Sequence, residues 1–188
     1  MYHIVVLCQS ILQAFYCYSL VLCYNIIMQK PCLRVLKKYG LRFGKNFSVQ
    51  KGCIIDNSHC YLISIGDNVT LAPNVHILAH DASTKMFLGK TKIGKVCIGN
   101  NVFVGADTVI LPNVIIGNRV IIGANSVVTK KLDGNGVYAG NPAKKIMDLD
   151  QYLQKYNNIT TKTFDEKYRL ANNPSKKMIK EINEEVDN

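Results

Sequence analysis

A period of six governs this chain. Ile98, Val104, Ile110, Ile116, Ile122 and Val128 occupy one phase, and Gly99, Gly105, Gly117 and Gly123 follow four of them. Four positions beyond the first five aliphatics, Val102, Thr108, Val114, Val120 and Ser126 form a second row of small residues. A helix wants apolar residues at spacings of three and four, and a half-buried strand wants alternation over one short run; neither accounts for the stretch. A hexad of one branched aliphatic, small residues and polar residues suits a parallel β-helix, in which each hexad forms one side of a coil. The aliphatic is expected to point inward, the Gly or Ala after it to let the backbone turn the corner, and the second row to fit a narrow interior.

Upstream the same phase returns at Phe43-Gly44, Val49, Ile65-Gly66, Leu71-Ala72 and Ile77. It breaks between His80 and Ile93, where the residues from Asp81 to Lys92 fit no hexad. Long interruptions in a compact repeat are more often functional than decorative, and this one begins at a histidine.

With 188 residues the chain has room for one domain with appendages. A formal net charge of +10 points to an anionic partner, such as a phosphorylated small molecule or a membrane surface. Nucleic acid is not expected, because no zinc finger, helix-turn-helix or aromatic-and-basic RNA motif accompanies the charge. The seven cysteines, Cys8, Cys17, Cys23, Cys32, Cys53, Cys60 and Cys97, include no C-x-x-C pair and read as reduced thiols of a cytoplasmic protein.

Residues 1–29 contain no Asp, Glu, Lys or Arg, and from Ile4 to Met28 they are mostly apolar. That length suffices for a bilayer, which takes ~20 residues of helix, although Gln9, Ser10, Gln13, Ser19 and Asn25 interrupt it. A cleaved signal peptide is not expected, for want of a basic start and a small-x-small site. Lys30, Arg34, Lys37, Lys38, Arg42 and Lys45 follow with no acidic residue before Asp56, a flank attracted to anionic lipid and held on the cytoplasmic side. Residues 1–39 are therefore expected to form an apolar helix with a basic flank, associated with a membrane or packed in an oligomer. Residues 40–146 carry the repeat, and 147–188 are expected to be a helical, partly mobile tail.

The segments IGDNVTLAPNV (Ile65–Val75), LAHDAS (Leu78–Ser83), IGNNVFVGADTVILPNVIIGNRVIIGANSVVTK (Ile98–Lys130) and AGNPAKKI (Ala139–Ile146) resemble the hexapeptide-repeat acyltransferases. Within them the similarity is greatest to sugar O-acetyltransferases of the galactoside, maltose and capsule or lipopolysaccharide type. The resemblance implies an all-β repeat fold, a left-handed parallel β-helix, working as a homotrimer with sites between subunits. It also implies acetyl transfer from acetyl-CoA to a saccharide hydroxyl, the acceptor being lipid- or nucleotide-linked and bound for a surface polysaccharide. An amino-sugar N-acetyltransferase and a non-catalytic β-helix scaffold are the competing readings.

Acyl transfer from a thioester to a hydroxyl needs a base that is neutral near pH 7, and imidazole fits. In the family the catalytic histidine follows the IGDNV-x-x-APNV coil, which here is His80. Asp81 is a candidate to orient the imidazole or a substrate hydroxyl, but adjacent strand residues face opposite ways, so touching His80 would require the loop to turn. Asp56 and Asn57, one coil earlier, are expected acceptor contacts, and Phe103 is expected to line the acceptor site. By resemblance Gly105 and Ala106 lie near the thioester, with a backbone N–H at Ala106 available to an oxyanion. Ala124 lies farther along the pantetheine arm, with Thr129, Lys130 and Lys144 toward the nucleotide end, where lysines suit phosphates. His59 and His76 read as ordinary coil residues. No metal is expected, since His76 and His80 lack the spacing and the third partner of a β-helical carbonic anhydrase site.

Overall fold

The computed structural model describes residues 31–158 and 175–186. The apolar segment 1–29 lies outside the described residues, and with it the expected N-terminal helix. Among the described residues no helix is long and apolar enough to cross a membrane.

Short parallel strands recur in a fixed rotation around three sheets. The first sheet holds Arg42–Phe43, Ile63–Ile65, Val96–Ile98 and Ile115–Ile116. The second holds Ser48–Val49, Val69–Leu71, Val102–Val104, Val120–Ile122 and Gly136–Ala139, and the third Ile54–Ile55, His76–Ile77, Val109–Ile110 and Val127–Val128. Each circuit visits the sheets in that order, and successive circuits stack in parallel, an arrangement that fits a left-handed β-helix. The sixfold phase is the register itself. Ile65, Ile98 and Ile116 form one ladder, Leu71, Val104 and Ile122 a second, and Ile77, Ile110 and Val128 a third.

All nine of these side chains are buried, as are Thr108, Val114, Val120 and Ser126 of the second row. Each buried aliphatic contributes roughly 1.5–3 kcal/mol relative to exposure. The buried hydroxyls are satisfied locally: Thr108 Oγ1 and Ser126 Oγ both donate to the Gly123 carbonyl, at 3.2 and 2.6 Å.

The corners are built differently from the sequence expectation. Left-handed backbone is carried by Asn46, Asn68, Asn74, Asn101, Asp107, Asn113, Arg119 and Asn125, with φ between 53° and 65°. Asn and Asp tolerate that conformation because a short polar side chain bonds locally; Asn46 Nδ2 donates to Asn68 Oδ1 at 2.8 Å, and Asn68 Nδ2 to Asn101 Oδ1 at 3.0 Å. The glycine after the aliphatic does not turn the chain. It clears room for the next coil, since a Cβ on Gly105 would sit 2.5 Å from the Ala124 nitrogen and one on Gly99 2.8 Å from the Gly117 carbonyl carbon.

Both ends of the coil are covered. The helix Leu33–Lys38 turns buried Leu36 onto the first circuit, beside buried Leu41, while Lys37 and Lys38 stay exposed. At the other end Gly136–Ala139 pairs antiparallel with Lys144–Asp148. Arg119 donates to Asp150 at 2.6 Å, and Asn135 Nδ2 to the same carboxylate at 2.9 Å. A second compact unit begins at Gln151 and contains the helix Lys176–Val186; the helix Leu149–Asn158 runs across the boundary.

Candidate active site

Within the regular coils, equivalent residues such as Asn100 and Asn118 are 18 apart. Between the first two circuits the corresponding pair, Lys45 and Asp67, is 22 apart, and between the next two, Asp67 and Asn100, it is 33. The surplus residues form two detours, and both leave at the corner between the third sheet and the first. The earlier runs from Asp56 through a 3₁₀ turn at Cys60–Leu62, and the later contains His80. Because they leave neighbouring coils at one corner, their first residues meet.

The later detour is a hairpin. His80–Asp81 pairs antiparallel with Lys92–Ile93, a helical turn Lys85–Leu88 closes the tip, and the Gly94 N–H donates to the Ala79 carbonyl at 2.9 Å. In this strand Asp81 faces away from His80: it pairs with Lys92 at 2.5 Å and accepts the Ser83 N–H at 2.8 Å. The hydrogen bond from Lys92, then that from Ser83, holds the Asp81 carboxyl below its usual range.

His80 meets Asp56 instead. His80 Nδ1 lies 2.5 Å from Asp56 Oδ2, which also accepts the Ala79 N–H at 2.9 Å. The other oxygen accepts the Ser58 and His59 N–H groups, both at 3.0 Å. Burial opposes the charge on Asp56. The hydrogen bond from His80, those from Ala79 and His59 and the attraction of His80 outweigh it, so the carboxyl titrates below its ordinary value. An ionised carboxylate can only accept, so the proton between the two sits on Nδ1 and the lone pair of the neutral ring is on Nε2. The Asp56 side chain is 1% exposed and that of His80 35%, a fixed anchor behind a reachable imidazole.

His59 completes the group. Its ring centroid is 4.9 Å from that of His80, and its Nδ1 is 3.8 Å from Asp56 Oδ1. That nitrogen is buried and has no hydrogen-bond partner among the described residues.

The other expected site residues, Phe103 apart, divide between two corners. Asn57, Thr129 and Lys130 share the corner of His80 and are exposed. Thr129, Asp81, Lys92, Leu111, Pro112 and Asn113 line a cavity of about 190 Å³ there. Gly105, Ala106 and Ala124 lie at the corner between the second and third sheets, where Ala106 and Ala124 stack and the Asn125 N–H donates to the Ala106 carbonyl at 2.8 Å. Lys144, exposed, pairs with Ala139 at that same corner. Phe103 stands mid-strand on the outer face of the second sheet, 44% exposed, between Thr70 and Ile121.

The expectation that Asp56 touches an acceptor meets a carboxylate whose two oxygens are already engaged by Ser58, His59, Ala79 and His80. His59, expected to be an ordinary coil residue, lies against His80. The signal for both was the excess over 18 in the spacing of the hexads, which puts the detours on one corner.

Residues 98–130 match the model of the bacterial transferase hexapeptide family (six repeats). Protein CapG of Staphylococcus aureus is 42% identical over 127 residues, which cover 64% of this chain and 73% of CapG. The chain belongs to the hexapeptide-repeat transferases. The galactoside O-acetyltransferase of Escherichia coli K12 is 37% identical over 62% of this chain and 56% of its own length. Among solved structures, a galactoside acetyltransferase in complex with coenzyme A superposes with a TM-score of 0.54 at 28% identity, over 69% of this chain and 76% of that one. This hexapeptide-repeat protein is an acetyltransferase.

Proposed function

We propose that the protein transfers acetyl from acetyl-CoA to a saccharide hydroxyl, in the synthesis of a surface polysaccharide. The observation that carries this reading is the His80–Asp56 pair, with a proton-accepting Nε2 at a half-open surface. His80 Nε2 takes the acceptor's hydroxyl proton as that oxygen bonds to the thioester carbon. The oxyanion that forms is met by a backbone N–H at Ala106. Its collapse breaks the C–S bond, and the thiolate leaves with the proton held by His80, giving an O-acetyl sugar and CoA. Asp56 keeps the imidazole in the required tautomer and stabilises the imidazolium.

The split of residues over two corners supports a homotrimer. His80, Thr129 and Lys130 sit on one edge of the coil and Gly105, Ala106, Ala124 and Lys144 on another, so a groove using both sets takes one edge from each of two copies. The small residues there leave backbone open to a pantetheine arm, and the lysines suit its phosphates. Asn57, Asp81 and Phe103 are assigned to the acceptor side. Residues 1–29 are assigned to a membrane surface, where a lipid-linked or nucleotide-linked acceptor would be met from the cytoplasm.

The test is CoA release from acetyl-CoA by the full chain, offered sugars with free hydroxyls and the matched amino sugars. Stimulation by hydroxyl acceptors supports the proposal. Stimulation by amino sugars alone would replace it with N-acetylation, and failure to cleave acetyl-CoA with any acceptor would leave the scaffold reading.

A further inference from the structure

We propose that Asp56, His59 and His80 form a binding site for zinc, and that zinc bound there arrests the enzyme. One donor atom from each residue lies within 4.8 Å of the other two. A tetrahedral zinc site holds nitrogen and oxygen donors 2.0–2.2 Å from the ion, hence roughly 3.3 Å from one another. His59 Nδ1 is 3.8 Å from Asp56 Oδ1 and His80 Nδ1 is 2.5 Å from Asp56 Oδ2, so both rings already present a nitrogen to the same carboxylate.

A second observation singles out this cluster. Buried polar atoms are ordinarily satisfied, yet His59 Nδ1 is buried, has no hydrogen-bond partner among the described residues and lies 3.8 Å from Asp56 Oδ1. A cation beside the carboxylate would give that nitrogen a partner. Imidazole nitrogens favour zinc over magnesium or calcium, which require shells of oxygen. The backbone N–H groups of Ser58, His59 and Ala79 already orient the carboxylate, as outer partners of a metal ligand should. His76, on the strand His76–Ile77, is not part of the group.

The arrest follows from tautomer chemistry. His80 presents Nδ1 to the cluster, so binding there displaces the proton it shares with Asp56. A neutral imidazole ligated through Nδ1 carries its remaining proton on Nε2. That nitrogen can then no longer accept a proton from an acceptor hydroxyl. The inhibition rests on the role of His80 given under Proposed function; the binding does not.

Equilibrium dialysis of the tag-free, metal-stripped full chain against Zn²⁺ tests the site, beside His59→Phe, which keeps a ring against His80 but removes the donor. One zinc per wild-type chain is expected, with affinity lowered at least ~10-fold in the variant. Absence of bound zinc, or equal affinity in the two proteins, would overturn the site. So would a thiolate charge-transfer band in the Co²⁺ form, which would place the ion on cysteine. Zinc should also stop CoA release, reversibly with chelator; zinc that binds at this site without slowing an active enzyme would overturn the arrest. Should the protein show no acetyl transfer at all, the function fails while dialysis still decides the site.

Discussion

The regular coils from Val96 to Val128 and the corner bearing the two detours are made of the same chain under different rules. In the coils, Ile98, Val104 and Ile110 are repeated by Ile116, Ile122 and Val128, and any one ladder position resembles the next. At the corner no residue repeats, and Asp56 and His80 meet across 24 residues of sequence. A repeat spreads stability over many similar contacts, so its members are interchangeable in kind. A catalytic pair concentrates function in two atoms, so its members are not.

Substitution separates the two regions. The largest effect is expected from His80→Ala: turnover falls at least ~100-fold, as loss of a general base implies, while circular dichroism and melting temperature stay near wild type. Near-normal turnover would remove His80 from the mechanism. Asp56→Asn should come next. The amide leaves the ring nearby but no longer fixes its tautomer, and kcat is expected to drop by at least ~10-fold; a change confined to KM would return Asp56 to an acceptor contact.

In the coils the order reverses. Ile122→Ala removes a fully buried ladder residue and should cost ~2–5 kcal/mol of stability in denaturant unfolding, with turnover of the folded fraction retained. Turnover lost in proportion beyond the unfolded fraction would show that scaffold and site are not separable.

The smallest effect expected is on acid stability. The folded pKa of Asp56 is depressed. Its contribution is therefore full above the ordinary carboxylate value of about 3.9 and lost as pH falls through the folded value. Stability measured against pH should decline below about pH 4 in the wild type and more shallowly in Asp56→Asn. Parallel curves would mean that the carboxylate is not ionised in the folded pair.

The hexads alone determined the inward rows and the place where the repeat breaks at His80, because a periodic pattern writes its own register: each aliphatic finds its partner by phase. They misassigned the corner glycine, whose lack of a side chain serves stacking, with Asn and Asp taking the left-handed turn. The tertiary structure alone decided which acid orients His80. Asp81 is adjacent in sequence, but strand alternation turns it toward Lys92, whereas Asp56 arrives from the coil above because both detours leave at one corner. Detours have no period, so their meeting exists only once the circuits between them have stacked.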